Sequence, residues 1–279
     1  MGMKFIRQLF KFGGESDFGP IKNAIVSIVG VAIIILGWHY VSANEMIPSK
    51  ILPDPFKVIG SIPTLWTENH LLANIWFSVK LNLMCYVYAI ALALPIGFAI
   101  GCIPFCNLLI GRAISSIRYT PLPACTGIFL AIFGLTFGMK IWFLTVAIMI
   151  YIIPAVVNTI NNLQDPKNDK DNVYLQTMKT LGASNWQKFR YVYWPYVTSN
   201  VAATVVDLCA ISWTYVTICE LIYKDGDVMG IGAMTSLMIR RSAIPEAFAL
   251  LFIIVIIGTL QDYLFKTGCR KLFPYKTFK

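Results

Sequence analysis

Long uncharged runs of apolar residues constrain this chain more than any other feature. No charged residue occurs between Lys22 and Glu45 or between Lys80 and Arg112. An uncharged apolar run of about 20 residues is long enough to cross the hydrocarbon core of a bilayer as a helix. The 279 residues are 57% apolar and 13% charged, whereas soluble domains average roughly 45–50% and about 25%. These values exclude a soluble enzyme and a disordered tail, and they predict an all-α polytopic membrane protein.

Six apolar runs predict six transmembrane helices, at residues 24–41, 81–102, 119–139, 141–164, 191–219 and 247–265. Only the turn at 137–140 separates the third run from the fourth, which predicts a tight helical hairpin. With the N terminus inside, 16 of the 23 Lys and Arg residues lie on the cytoplasmic side, as the positive-inside rule requires. We therefore predict a cytoplasmic segment at 1–23, a six-span domain at 24–266 and a cytoplasmic tail at 267–279.

Two segments on the predicted outer side do not span the membrane. Asp54 followed by Pro55 is typical of the start of a helix. The apolar residues at 58–66 then recur at helical spacing, which is compatible with a short amphipathic helix on the membrane surface or with a covering loop. The segment 228–238, with Gly230 and Gly232, is too short to span and is predicted to be re-entrant or interfacial.

The remaining composition indicates no chemistry of its own. The net charge of +9 is explained by topology, because the basic residues lie between apolar runs and form no stripe for nucleic acid. The seven cysteines fall mostly within apolar runs, so we interpret them as buried free thiols. With only two histidines in the chain, we predict no metal site and no cofactor in this chain.

The most informative polar segment lies at 162–195, between the fourth and fifth predicted spans. The pattern predicts a loop, then a helix at 173–181 that ends at Gly182. Ser184 with Gln187 three residues later is a capping box that opens a second helix, and Pro195 starts the fifth span. Such a helix-turn-helix is either a connector or a docking element for another protein.

The spacing of Gly182, Val192 and Pro195 resembles the cytoplasmic signature of permease subunits of bacterial ABC importers. In that signature Glu-Ala-Ala is followed by three residues, Gly, nine residues, Ile, one residue and Leu-Pro. The corresponding positions here are Gln176, Thr177, Met178, Gly182, Val192, Trp194 and Pro195. Only Gly182 and Pro195 are identical to the signature.

Further stretches resemble the nitrate, taurine and aliphatic sulfonate branch of these permeases, and the resemblance covers roughly residues 24–275. They are residues 52–55 (LPDP), 119–123 (YTPLP), 133–138 (FGLTFG) and 181–184 (LGAS) with Trp186 and Phe189. Glu220 at the end of the fifth span and Asp262 late in the sixth also match that branch.

The resemblance implies a type I ABC importer transmembrane domain in the bacterial inner membrane. The signature segment would be a coupling helix that docks on a cytosolic ATPase, through Gln176, Thr177, Met178, Gly182, Ala183, Ser184 and Pro195. The implied partners are two ATPases that bind ATP and Mg²⁺, a second permease copy in a homodimer, an extracytoplasmic binding protein and membrane lipid. This chain contains no Gly-x-x-x-x-Gly-Lys-Ser/Thr phosphate-binding loop, so ATP hydrolysis would belong to the partner.

The implied cargo is a small solute, and the branch handles nitrate, sulfonates, taurine, bicarbonate and heterocyclic vitamin precursors. The sequence itself selects none of these solutes. Relatives often place a basic residue near position 207, so Asp207 is a departure that argues against a simple oxyanion.

Several residues of the fifth span are candidates for the translocation path. Asp207 lies about halfway along this span, where a carboxylate costs on the order of 3 kcal/mol unless it is paired or hydrated. It either lines the path or makes a structural hydrogen bond. Trp213, Thr214 and Thr217 either line the path or pack, and Glu220 near the outer end either contacts the binding protein or pairs with Lys224.

Three other functions compete with an importer permease. A secondary transporter could couple its substrate to ions through Asp207, although the two halves show no inverted repeat. A non-transporting scaffold subunit fits the loss of the Glu-Ala-Ala triplet. An intramembrane aspartyl protease is disfavoured, because Ala233 follows Gly230-Ile231-Gly232 where such enzymes need aspartate.

Overall fold

The computed structural model describes residues 20–167, 169–222 and 228–276, which are helical with no β-strand in these ranges. The chain divides into two compact units, residues 1–62 and 63–279, and each is described by itself. The predicted all-α class is confirmed. Residues 1–19 and 277–279, parts of the predicted cytoplasmic ends, lie outside the described residues.

The α-helices follow one another along the chain with short connections. They are α1 (Pro20–Ala43), α2 (Pro55–Gly60), α3 (Ile62–Glu68), α4 (Leu71–Cys102), α5 (Pro104–Cys106), α6 (Arg112–Ser116), α7 (Thr126–Phe133), α8 (Phe137–Gln164), α9 (Asp169–Thr180), α10 (Asn185–Lys188), α11 (Trp194–Glu220), α12 (Ile231–Arg240) and α13 (Ile244–Leu272).

The first unit contains α1 and α2, and Asp54 connects them. Its Oδ1 accepts a hydrogen bond from the backbone N–H of Phe56 at 2.7 Å, which confirms the predicted helix cap. Its Oδ2 lies 2.7 Å from His39 Nδ1. Desolvation raises the pKa of Asp54, but the hydrogen bond from Phe56 and the contact with His39 lower it by more, so the pKa lies below its usual value. The predicted amphipathic helix after Asp54 is two short helices, α2 and α3, separated at Ser61.

Five helical segments of the described chain are long and apolar enough to cross a membrane. They are Ile21–Ala43, Leu71–Cys102, Phe137–Gln164, Asn185–Glu220 and Ile244–Leu272. Four of the six predicted spans thus coincide with continuous helices in the second unit, and the first coincides with α1.

The third predicted span, 119–139, differs from the structure. The chain here forms a broken series of short helical segments from Pro104 to Phe133. Pro121 and Pro123 lack the backbone N–H that a continuous helix needs, and Gly134 takes a left-handed backbone with φ of 63°. Hydropathy therefore located an apolar region but misplaced its start and its continuity.

The direction of the long helices follows from their contacts. Phe77 and Phe137 lie 5.3 Å apart between ring centroids near the starts of α4 and α8. Near their other ends, a Cβ on Gly97 would lie 2.6 Å from Val156 Cγ1, so the two helices run parallel. Gly97 and Gly101 are four residues apart and face α8, the small-residue spacing that lets membrane helices approach closely.

Helix α11 runs antiparallel to α4 and α8. Its end contacts the start of α4, where Ser78 Oγ lies 2.7 Å from Glu220 Oε1. Its start contacts the far end of α4, where the rings of Phe98 and Trp194 stack at 5.7 Å. Helix α13 in turn packs antiparallel to α11, with Cys209 Sγ 3.6 Å from the carbonyl of Gly258. The core of the second unit therefore lies between α4, α8 and α11.

The seven cysteines are free thiols, as predicted. Three of them, Cys85, Cys209 and Cys219, are fully buried, and the other four are half-buried.

Candidate functional site

A groove of about 580 Å³ lies between α11 and α13, about halfway along these helices. It is lined by Val206, Asp207, Ala210, Trp213, Thr214, Thr217, Ile254, Val255, Gly258, Thr259 and Asp262. Four of the five residues predicted for the translocation path are among them. The fold brings them together because they recur on one face of α11.

Asp207 is the unusual residue of this groove. It lies near the midpoint of α11 and its side chain is exposed. Among the described residues it has no hydrogen bond or ion pair, whereas Asp262 pairs with Lys266 at 3.0 Å. A carboxylate at this position of an apolar helix requires water or a partner from outside the chain.

The polar groups of the other groove residues predicted from the sequence make their hydrogen bonds within the protein. Trp213 is buried, and its Nε1 donates to Gln261 Oε1 at 3.0 Å. The hydroxyl of Thr214 donates to the carbonyl of Ala210 at 3.3 Å, and that of Thr217 donates to the carbonyl of Trp213 at 2.7 Å. Both threonines line the groove with their hydroxyl groups bonded to the backbone of their own helix.

Glu220 does not have the surface position that the sequence predicted. Its side chain is 0% exposed, and its Oε1 accepts a hydrogen bond from Ser78 Oγ at 2.7 Å. Its Oε2 accepts from the backbone N–H of Gly232 at 2.8 Å. The prediction of a surface contact is therefore wrong, because this carboxylate is used inside the bundle. The predicted partner, Lys224, lies outside the described residues.

Glu220 belongs to a polar cluster that holds the start of α12. Asn74 Oδ1 accepts hydrogen bonds from the backbone N–H groups of Met229 and Gly230 at 2.8 and 2.9 Å. Ser78 Oγ accepts from the N–H of Ile231 at 2.9 Å. Side chains from α4 and α11 thus satisfy the unpaired N–H groups at this helix N-terminus, and the predicted interfacial segment is anchored to the bundle.

Sequence analysis overlooked Asn74 and Ser78. A signal was available, because Asn74, Ser78 and Asn82 are spaced four residues apart around the start of the second predicted span, and all three are buried. Polar residues on one face of a membrane helix point towards other helices.

The predicted docking element at 162–195 has the expected local structure. Helix α9 ends at Gly182, which has φ of 68°. The N–H of Gly182 donates to the carbonyl of Lys179, and the N–H of Ala183 donates to that of Met178, both at 3.0 Å. This is a Schellman motif, in which glycine accepts the left-handed backbone at little cost.

The capping box that opens α10 is present. Ser184 Oγ accepts from the N–H of Gln187 at 3.3 Å, and Gln187 Oε1 accepts from the N–H of Ser184 at 2.7 Å. A π-helical turn, Phe189–Tyr193, then leads without interruption into α11, where Pro195 occupies the first turn. The turn at 181–184 is therefore fixed at both sides and is continuous with the helix that carries Asp207.

One side of this element packs on the bundle and the other is exposed. Leu163, Leu175 and Val192 form a small buried cluster, and Met178 packs against it. Gln164 Nε2 also donates to the hydroxyl of Tyr193 at 3.0 Å. On the other side, large apolar side chains are exposed at the turn, with Leu181 74% and Trp186 69% exposed. Gln176, Thr177, Gly182 and Ser184 are also exposed.

The fold and the groove define a multi-pass helical membrane protein with polar side chains at its centre. No protein-family model matches the chain. Over 247 residues it is 24% identical to a probable ABC transporter permease protein of Brucella melitensis, covering 88% of this chain and 95% of the relative. A probable ABC transporter permease protein of Brucella abortus matches at 24%, covering 88% and 94%.

The taurine transport system permease protein TauC of Escherichia coli is 21% identical over 262 residues, which cover 92% of each chain. These relatives support the resemblance to ABC transporter permeases of the nitrate, taurine and sulfonate type. They indicate a transport subunit and not an enzyme.

Proposed function

We propose that this chain is the permease subunit of an ATP-driven importer that takes a small solute from an extracytoplasmic binding protein. The observation that carries the proposal is the continuity of the turn at 181–184 with α11, which lines the central groove. A movement imposed on the turn is thereby transmitted to Asp207 and its neighbours.

The exposed face of the turn is the proposed docking surface for the ATPase. Leu181 and Trp186 supply apolar area there, and such aromatic and aliphatic anchors contribute most at protein interfaces. Gly182, Ala183 and Ser184 set the shape of the turn, and Gln176, Thr177 and Met178 lie on the preceding helix. Pro195 starts the helix that transmits the movement. ATP and Mg²⁺ bind the partner chain.

We further propose six membrane crossings, with both termini in the cytoplasm of a bacterial inner membrane. The parallel packing of α4 and α8 supports the broken segment 104–133 as the third crossing, because the chain must return across the membrane between two parallel spans. This placement moves Arg112 and Arg118 out of the predicted cytoplasmic loop. The count of basic residues on the inner side then falls from 16 to 14 of 23, which still favours this orientation.

The complete importer would contain two copies of this chain around a common path, two ATPases and one binding protein on the outer face. Taurine transport by the E. coli relative supports a solute of similar size. The groove between α11 and α13, with Asp207, Trp213, Thr214 and Thr217, would form part of that path.

Copurification tests the proposal most directly. The tagged chain is extracted in mild detergent, copurifying proteins are identified by mass spectrometry, and ATPase activity is measured in the eluate. We expect an ATPase with a phosphate-binding loop, and we expect Trp186→Ala to reduce its recovery. Tyr275→Ala is the matched control, because Tyr275 is also 69% exposed but lies outside the docking element.

A folded chain without any ATPase in several detergents would contradict the proposal. It would instead favour an ion-coupled carrier, for which Asp207 is the specific supporting observation. Equal loss of ATPase in Trp186→Ala and Tyr275→Ala would contradict the docking surface alone.

A further inference from the structure

Two opposite charges lie on segments that run between the two ends of the bundle, and neither has an ion partner among the described residues. They are Asp207 on α11 and Arg118 in the broken segment between α4 and α8. Both side chains are exposed. Within the part of the chain that the structure describes, the Arg118 guanidinium lies 5.5 Å from the ring centroid of its neighbour Tyr119.

The depth of Arg118 follows from the contacts of its segment with α8. Asn107 Nδ2 donates to Asn161 Oδ1 at 2.7 Å, so Asn107 is level with the end of α8. The rings of Phe129 and Phe143 lie 5.5 Å apart, so Phe129 is level with the first turns of α8. Arg118 lies between Asn107 and Phe129 in the chain, so its segment carries it between these two levels of α8.

The depth of Asp207 follows from the same helix. Gln164 at the end of α8 contacts Tyr193 at 3.0 Å, and Phe143 contacts Tyr215 at 6.3 Å between ring centroids. Asp207 lies between Tyr193 and Tyr215 on the continuous helix α11, so it too lies between the two ends of α8. Carboxylate and guanidinium are thus both exposed between the two ends of a membrane bundle.

Residues 20–167, 169–222 and 228–276 of one copy supply no ion partner for either charge, and an unpaired charge is costly in hydrocarbon. A second copy related by two-fold symmetry supplies the missing partner twice, because in such an interface residue i contacts j and j contacts i. Arginine is well suited to this role, since its planar guanidinium binds a carboxylate with two parallel hydrogen bonds.

We infer that Asp207 of one copy forms an intersubunit ion pair with Arg118 of a second copy of this chain. This inference rests on the proposed homodimer of the permease. It assigns Asp207 and Arg118 as the residues that specify self-association, and it gives Asp207 a partner other than the solute.

Cysteine cross-linking in membranes tests the pair. The full chain with Asp207→Cys and Arg118→Cys is treated with a short bismaleimide that spans the length of an Asp–Arg pair, because a direct disulfide needs Cα atoms within about 7 Å. The species are separated on a denaturing gel, and we expect a band at twice the mass of the chain, absent from either single variant and from the parent with its seven cysteines. A band only at monomer mass, with or without an internal cross-link, would overturn the inference.

Charge reversal provides the second test and keeps the inference testable if the cysteines disturb packing. Asp207→Arg alone and Arg118→Asp alone should each reduce the dimer fraction by about tenfold or more, since each places like charges opposite one another. The double variant should recover the dimer. Arg112→Asp is the matched control, because Arg112 is exposed in the same segment but lies nearer its end, and it should neither disrupt the dimer nor rescue Asp207→Arg.

A double variant no better than the single ones would overturn the inference. The test is independent of the proposed function: a cross-linked dimer without an ATPase would retain the pair and contradict the importer. Copurified ATPase without the cross-link or the rescue would retain the importer and contradict the pair.

Discussion

Glu220 and Asp207 are two carboxylates on one helix, α11, and their surroundings are opposite. Glu220 is buried and accepts hydrogen bonds from Ser78 and Gly232. Asp207 is exposed in the central groove and has no partner among the described residues. A carboxylate whose hydrogen bonds are complete within the chain stabilises the fold, whereas one left incomplete is available to another molecule. Sequence position alone does not separate these two roles.

The largest loss of stability is expected at Gly230, which packs directly against the Glu220 carboxylate. Gly230 has φ of 98°, and a Cβ there would overlap the Glu220 carboxylate. Gly230→Ala should therefore destabilise the protein by about 3 kcal/mol or more, because strain and overlap add. Thermal unfolding in detergent measures this.

Gly268→Ala is the control for that variant, since nothing lies within 4 Å of its added Cβ. It should be neutral or stabilising, because alanine is the better helix former. Similar losses of stability in Gly230→Ala and Gly268→Ala would show that the Glu220 cluster tolerates an added Cβ as well as a helix position with free space around it.

Two isosteric substitutions test the comparison between Glu220 and Asp207. Glu220→Gln should reduce the free energy of unfolding by about 2 kcal/mol, because one buried oxygen is replaced by an amide that cannot accept from Gly232 or Ser78. Asp207→Asn should change it by less than about 0.5 kcal/mol, as exposed substitutions do, while altering dimerisation or uptake. Chemical or thermal denaturation of both variants in one detergent gives the values, and the reverse order would refute the assigned roles.

A smaller effect is expected at the docking turn, where Ser184→Ala removes the cap of α10. Loss of such a cap costs about 1 kcal/mol. The loss is local, so amide hydrogen exchange should increase in residues 184–188 while the groove helices remain protected. Thr180→Ala is a suitable control, because its exposed hydroxyl only returns to the carbonyls of Gln176 and Thr177. Uniformly faster exchange in both variants would contradict the role of the cap.

The smallest change in stability is expected at a third carboxylate, Asp54. Like Glu220 it has hydrogen-bond partners within the chain, but it lies outside the predicted spans. Its pKa is lowered in the folded protein, so it stabilises the fold when ionised, above its unfolded pKa of about 3.9. This contribution is lost as the pH falls through the lowered folded-state pKa. The parent should melt at a higher temperature than Asp54→Asn, by an amount that is constant near neutral pH. This difference in melting temperature should shrink towards zero below about pH 4. A difference that stays constant into acid would indicate that Asp54 acts only through its shape.

The features predicted correctly are those set by neighbours in the sequence. Gly182 and the pair Ser184 and Gln187 define a helix end and a capping box within six positions, so backbone chemistry alone identifies them. The grouping of Asp207, Trp213, Thr214 and Thr217 follows from helical spacing on one span.

The features that were missed depend on distant parts of the chain. Glu220 is paired with Ser78, 142 residues away, and no local pattern reports that contact. The third predicted span was expected to be one continuous helix, whereas the chain from Pro104 to Phe133 is a series of short helical segments. The break itself follows from Pro121 and Pro123, which hydropathy alone does not register.

The polar row on α4 has a consequence for how the protein is made. Asn74 and Ser78 find their partners in α11 and at the start of α12, and Asn82 finds Ser212 and Gln261. These partners are synthesised much later than α4. Until the last third of the polypeptide has left the ribosome, α4 must keep an incomplete hydrogen-bonding face away from lipid. Biogenesis of this protein therefore depends on retaining an early helix beside the insertion machinery until the late helices arrive.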